Sequence, residues 1–168
     1  TIKNTLSSIL KQSYKNISIK IVDNCSTDKT ISIIKLFNDK RIKIYKFSKN
    51  VVAEENFNRC IKLSNGKYTA IYHSDDIYHK EIVYKQVCFL EKNKKAGVVF
   101  SEGELIDEND KLISSAYSPL KSYSDNFNYT YVEVLNEVTK NFNFLLCPTA
   151  MVRTKIYKNE VKRFRYNK

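Results

Sequence analysis

Ile17-Ser18-Ile19-Lys20-Ile21-Val22-Asp23-Asn24-Cys25-Ser26-Thr27-Asp28 changes character half-way along. Ile17, Ile19 and Ile21 alternate with Ser18 and Lys20, the period-two pattern of a strand with one apolar side. The strand gives way to an acidic polar turn in which Ser26, Thr27 or Asp28 can cap a following helix. That helix would carry Ile31, Ile34 and Phe37 on its apolar face, and Ile2, Leu6, Ile9 and Leu10 mark a helix before the strand. Helix, strand, polar turn and helix in succession form the repeating unit of an α/β domain.

The same alternation continues along the chain. Ile42 and Ile44 predict a strand, Ala53, Phe57, Cys60 and Ile61 a helix, Asn65-Gly66 a turn, and Lys67 to Tyr72 another strand. A helix on Val83, Val87 and Leu90 follows, and Gly97 then leads into Val98-Val99-Phe100, the short apolar run of a fully buried strand. The expected architecture is a mostly parallel, Rossmann-like sheet flanked by helices. Beyond Asp107, Glu108-Asn109-Asp110-Lys111 reads as a hairpin turn and Ser114 to Asn128 as a polar, Tyr-rich loop. Val132 to Lys140 reads as a helix and Thr149 to Arg153 as a strand. No repeat, low-complexity tract or linker divides the chain, so one domain over residues 1–168 is expected.

A chain of 168 residues with 42% hydrophobic content can bury one core. No stretch approaches the roughly 18 consecutive apolar residues of a membrane-spanning helix. Thr1-Ile2-Lys3-Asn4 has neither an initiator Met nor a signal-peptide pattern, and reads as an entry into a longer protein. Cys25, Cys60, Cys88 and Cys147 form no Cys-x-x-Cys pair, which argues against a zinc knuckle and for reduced cytosolic thiols. The net charge of +11 favours anionic partners. It is concentrated near the C-terminal end, where Arg153, Lys155, Lys158, Lys162, Arg163, Arg165 and Lys168 face only Glu160. That group reads either as solvated surface or as a patch facing phosphate or anionic membrane.

Ligands of open α/β sheets collect at the carboxyl ends of strands, where loops and helix N-termini converge. Asp23 stands at one such end and Asp75-Asp76 at another. A carboxylate there can accept from a nucleobase N–H or a ribose hydroxyl. An adjacent pair also offers hard oxygen ligands to Mg²⁺ or Mn²⁺, which bridge one or two carboxylates to substrate phosphates. Acidic pairs commonly cap helices, but here the pair follows a buried strand and a second acidic strand end lies upstream.

The run Ile21-Val22-Asp23-Asn24-Cys25-Ser26-Thr27-Asp28-Lys29-Thr30 resembles the Val-Asp-Asp-Gly-Ser-Thr-Asp segment of family 2 glycosyltransferases, which have the GT-A fold. Leu10-Lys11-Gln12-Ser13-Tyr14 is similar to the Gln-Thr-Tyr end of their first helix. Asn56-Phe57-Asn58-Arg59-Cys60-Ile61, Asn65-Gly66-Lys67-Tyr68 and His73-Ser74-Asp75-Asp76 follow in the family's order. The similarity is good from Thr1 to about Lys111 and thin thereafter.

The resemblance implies a bacterial, inverting hexosyltransferase that moves a sugar from a nucleotide-sugar, a UDP-sugar, to a glycan or lipid-linked acceptor. Its setting would be polysaccharide biosynthesis, in the cytoplasm or at the inner face of the cell membrane, with peripheral contact to anionic lipid. Asp23, Asn24, Asn56 and Asp75 would bind the nucleotide-sugar, and Asp75 and Asp76 would hold Mn²⁺ or Mg²⁺. Asn24 and Cys25 depart from the family, which has Asp and Gly there. His73, often Asp in relatives, is read as a shaping residue, and His79 as a helix-start residue. Glu54 and Glu55 are read as exposed helix acids, while one of Glu102, Glu104 and Asp107 could face the cleft. The family's first strand, ending near Pro-x-Tyr-Asn, has no counterpart, so the sheet is expected to lack a central strand. The late acidic motif is also unmatched, which leaves the catalytic base unassigned and predicts that this chain alone does not transfer sugar.

Two other classes fit parts of the sequence. A nucleic-acid-binding module would suit the charge of +11 and the 12 tyrosines, but the tyrosines do not cluster at one motif and the acidic strand ends would repel phosphate unless a metal intervened. A nucleotidyltransferase-like metal enzyme needs a Gly-rich, Lys-bearing phosphate loop, and 3 glycines supply none. No nucleic-acid partner is expected.

Overall fold

A computed structural model describes residues 1–115, 129–141 and 145–165. Helices and strands alternate through β4: α1 (Ile2–Leu10), β1 (Ile19–Asp23), α2 (Thr30–Lys35), β2 (Ile42–Lys46), α3 (Ala53–Leu63), β3 (Tyr68–Ala70), α4 (Ile82–Lys92) and β4 (Val98–Val99). There follow β5 (Glu104–Ile106), β6 (Leu112–Ser115), α5 (Tyr131–Asn141), β7 (Met151–Arg153) and a helical segment, Thr154–Ile156, that widens into Tyr157–Val161.

β1 pairs with β2 in parallel, from Ile19 opposite Ile42 to Asp23 opposite Lys46. β7 returns from late in the chain and lies between β3 and β4, antiparallel to both. The α/β class and a parallel ladder are therefore present, together with an antiparallel strand whose placement periodicity alone does not encode. β7 is apolar because both of its faces are covered. Met151 packs with Val83 and Leu90 of α4, and Val152 packs with Ile61 of α3 and Tyr157, as the alternation of a strand requires.

A cleft of about 830 Å³ separates the two sheets. Ile19 and Ile21 of β1 form one wall, Tyr68 and Ala70 of β3 the other, and Leu6 of α1 and Phe57 of α3 also line it. Among the described residues β1 has only β2 beside it and β3 only β7, so their facing edges are unpaired. This is the arrangement expected of a sheet without its central strand. It also leaves Ile19, Lys20, Ile21, Val22 and all of β3 only half-buried.

Arg153 does not belong to an exposed basic patch. Its guanidinium donates to Leu90 O at 2.6 Å, Ala96 O at 2.8 Å and Asn93 O at 3.1 Å. It thereby satisfies carbonyls at and beyond the C-terminal end of α4, where a cation is also favoured by the helix dipole. The predicted hairpin turn joins β5 to β6: Asp107 Oδ1 accepts from the amides of Asn109 at 2.8 Å and Lys111 at 2.9 Å. Of the predicted loop from Ser114 to Asn128, Ser114 and Ser115 end β6, and the rest lies outside the described residues. Thr130 and Glu133 cap α5 reciprocally, with Thr130 N to Glu133 Oε2 at 2.7 Å and Glu133 N to Thr130 Oγ1 at 3.3 Å.

Candidate functional site

Beyond β3 the chain leaves the sheet at His73-Ser74-Asp75-Asp76. His73, Asp75 and Asp76 each offer a ligand atom, and these atoms lie within 4.8 Å of one another. Asp75 is exposed and the other two are half-buried. Tyr78, itself buried, ties the turn together. Its hydroxyl accepts from His73 N at 2.9 Å and donates to Asp76 Oδ2 at 3.3 Å. The ring stacks on Tyr72 with centroids 3.9 Å apart. Burial is the main reason that the Tyr78 hydroxyl is pushed far above the ordinary tyrosine range, so it remains a neutral donor to Asp76.

Helix α1 supports this turn with polar residues. Thr5 Oγ1 donates to Ser74 O at 2.9 Å, and Ser8 Oγ accepts from Tyr78 N at 3.1 Å. Just past the helix, Gln12 donates to His79 O at 2.9 Å and accepts from Val83 N at 3.2 Å. All three are buried, so these bonds satisfy groups that would otherwise be costly to bury. His79, exposed, accepts from Glu81 N at 3.3 Å just before α4, in keeping with a helix-start residue.

His73 stacks face-on against Phe57 of α3 at 5.6 Å. Its buried Nε2 is without a hydrogen-bond partner among the described residues. The donor set is thus two carboxylates and one imidazole, a combination suited to Mn²⁺ and, through its oxygens, to Mg²⁺.

Asp23 closes β1 and is 5% exposed. Its carboxylate accepts from Ser26 N at 3.3 and 3.4 Å, fixing the turn that follows. Within that turn Cys25 takes a left-handed backbone conformation, φ 67. The turn keeps the shape that suits glycine although a side chain is present. Asn56 lies on α3, where its Oδ1 accepts from Arg59 Nη1 at 3.3 Å, and Arg59 Nη1 also donates to Asn24 Oδ1 at 2.9 Å.

The sequence candidates therefore fall into two groups. Asp75 and Asp76 join His73, while Asn24 and Asn56 join Arg59 beside the turn that Asp23 begins. The cleft touches Asn56, His73 and Asp75 but not Asp23, Asn24 or Asp76, so it opens onto the candidate site and is not itself the site. Glu102 and Glu104 are exposed, Asp107 serves the hairpin turn, and none of the three belongs to the His73 cluster. Sequence reasoning missed Tyr78, Arg59 and the trio Thr5, Ser8 and Gln12. The trio left a polar stripe at helical spacing beside the apolar one, and Gln12 and Arg59 stand inside runs that carry the family resemblance.

The family model described as glycosyl transferase family 2 matches residues 1–160. The chain belongs to that family. A relative from Methanocaldococcus jannaschii, an uncharacterized glycosyltransferase, is 31% identical over 160 residues, covering 94% of this chain and 52% of its own. The UDP-Glc:alpha-D-GlcNAc-diphosphoundecaprenol beta-1,3-glucosyltransferase WfaP of Escherichia coli is 36% identical over 118 residues, covering 70% of this chain and 46% of its own. The chain thus spans about half the length of these curated relatives. The crystal structure of S. aureus TarS 1-349 in complex with UDP-GlcNAc superimposes with a TM-score of 0.77 at 21% identity, over 98% of this chain and 44% of that one. The likeness places this family 2 chain in the GT-A fold.

Proposed function

We propose that the chain forms the donor-binding part of an inverting glycosyltransferase that uses a UDP-sugar with Mn²⁺ or Mg²⁺ and delivers the sugar to a glycan or lipid-linked acceptor. The observation that carries this reading is the His73, Asp75 and Asp76 cluster, with ligand atoms within 4.8 Å and held from below by Tyr78 and α1. The UDP-glucose donor and diphosphoundecaprenol-linked acceptor in the name of WfaP, and the UDP-GlcNAc bound by TarS, support the choice of donor and acceptor class.

In this reading Asp76 and Asp75 hold the cation, with His73 beside them. When bound, a divalent cation neutralises the charge that grows on the departing diphosphate. Asp23 accepts an N–H of the base from its buried strand end. Asp75, exposed, also accepts a ribose hydroxyl in this reading, and Asn56 borders the nucleotide. No carboxylate among the described residues is assigned as general base.

Against the nucleic-acid reading, Tyr78 and Tyr157 are buried and Tyr72 is half-buried against Tyr78, while the exposed Tyr84 and Tyr131 stand on separate helices, α4 and α5. No helix among the described residues is long and apolar enough to cross a membrane. We place the protein at the cytoplasmic face of the cell membrane, with Lys155, Lys158, Lys162, Arg163 and Arg165 available to anionic headgroups.

Thermal unfolding with nucleotides tests the proposal. UDP with Mn²⁺ is expected to raise the midpoint, UDP with a chelator is not, and Asp76→Ala is expected to remove the metal-dependent part. An equal rise with and without the cation would contradict the metal assignment.

A further inference from the structure

The Asn24 side chain can donate two hydrogen bonds and accept two, and the protein itself uses all four. Nδ2 donates to Asn50 Oδ1 at 2.9 Å and Val51 O at 2.7 Å. Oδ1 accepts from Val51 N at 3.0 Å and Arg59 Nη1 at 2.9 Å. No capacity is left over for a nucleotide.

Arg59 extends the same connection. Its Nη2 donates to Lys49 O at 3.1 Å, and its guanidinium lies 4.0 Å over the Phe47 ring. Two further bonds run between the same pair of segments: Phe47 N donates to Asp23 O at 3.1 Å, and Cys25 Sγ donates to Ser48 O at 3.5 Å. The segment that follows β2, residues 47–52, is thereby fastened to the turn that follows β1. That turn contains Cys25 at φ 67, a conformation that a side chain disfavours and that needs outside restraint to persist.

We infer that Asn24 and Arg59 are positioning residues: they latch the Asp23–Ser26 turn to the 47–52 segment and hold Asp23 and Asn56 in place for the nucleotide, without touching it themselves. This rests on the nucleotide-sugar reading of the site. The full latch uses an amide at position 24. An acid there would keep the acceptor for Val51 N and Arg59 Nη1 but would have no N–H for Val51 O or Asn50 Oδ1.

The test uses the full-length protein with Asn24→Ala, Asn24→Asp, Arg59→Ala and the Asn24→Ala/Arg59→Ala double variant. Amide exchange at Val51 is measured without ligand, and UDP affinity is measured by calorimetry in Mn²⁺. Val51 protection is expected to fall in Arg59→Ala as it does in Asn24→Ala. UDP affinity is expected to fall about tenfold in each single variant and by about the same factor in the double, because both act through one latch. Asn24→Asp, which keeps the acceptor for Val51 N and Arg59 but loses both donors, is expected to fall between the wild type and Asn24→Ala. A double variant weakened about a hundredfold, or unchanged Val51 exchange in Arg59→Ala, would overturn the inference. A wild type with no UDP affinity would overturn the donor reading and the nucleotide half of this inference, while Val51 exchange would still decide whether the latch exists.

Discussion

Cys25 stands at φ 67, where a residue with a Cβ carries about 1–2 kcal/mol of backbone strain and glycine carries almost none. The weak Sγ bond to Ser48 O offsets part of it. Cys25→Gly is therefore expected to stabilise the protein by about 1 kcal/mol, read as a higher midpoint in urea; a lower midpoint would mean that the thiol contact outweighs the strain. Tyr78→Phe is expected to act in the opposite direction. It leaves His73 N without its acceptor and Asp76 without a donor, at a cost of about 1–3 kcal/mol by urea unfolding, and it weakens Mn²⁺ binding several-fold. At this scale the closeness of Asp75 and Asp76 was legible in the sequence, because the two are adjacent in the turn beyond β3. Tyr78 and Arg59 were not. The role of Tyr78 depends on stacking against Tyr72, and that of Arg59 on a residue 35 positions earlier.

Helix α1 shows what periodicity reveals about an element and what it hides. Its apolar positions predicted a helix over the observed span, but the side facing the motif turn is polar: Thr5, Ser8 and, just beyond, Gln12. Gln12 is 0% exposed and its loss would leave His79 O and Val83 N unpaired. Gln12→Leu is expected to cost about 3 kcal/mol in chemical denaturation. A cost within error of zero would show that α1 does not support the turn. The junction between β3 and α4 carries a pH signature. Glu91 is held at about 2, well below its ordinary 4.5, chiefly by its bond from Lys67, then by Lys94 and Tyr68. A depressed carboxylate stabilises above the unfolded value and loses that contribution as pH falls towards the folded one. The stability difference between wild type and Glu91→Gln is expected to be constant above pH 4.5 and to shrink between 4.5 and about 2. The group is exposed, so the effect is small and salt-sensitive; a difference that grew on acidification would contradict the assignment. A strand was read over Thr149 to Arg153 and β7 occupies its last three residues, yet its slot between β3 and β4 was not foreseen, because pairing between distant segments leaves no local pattern.

Across the whole molecule, the two half-sheets and the cleft between them set which surfaces respond to solvent. Cys60 lines that cleft, and burial pushes its thiol up to about 11, whereas Cys88 and Cys147 are exposed. Iodoacetamide at pH 8 is expected to label Cys88 and Cys147 well before Cys60, as read by mass spectrometry; early labelling of Cys60 would show the cleft wall to be open. The α/β class was legible because each helix and strand carries its own period. The half-buried state of β1 and β3 was foreshadowed only by the resemblance, which called for one more strand. The proposed function turns on Asp76, which with Asp75 and His73 would form a cation site serving a nucleotide diphosphate. Titrating Mn²⁺ into the full-length protein with UDP present, and following free Mn²⁺ by electron paramagnetic resonance, tests it most directly. Saturable binding is expected in the wild type and is expected to disappear in Asp76→Ala while the circular dichroism spectrum is unchanged. Wild-type Mn²⁺ affinity in Asp76→Ala would contradict it.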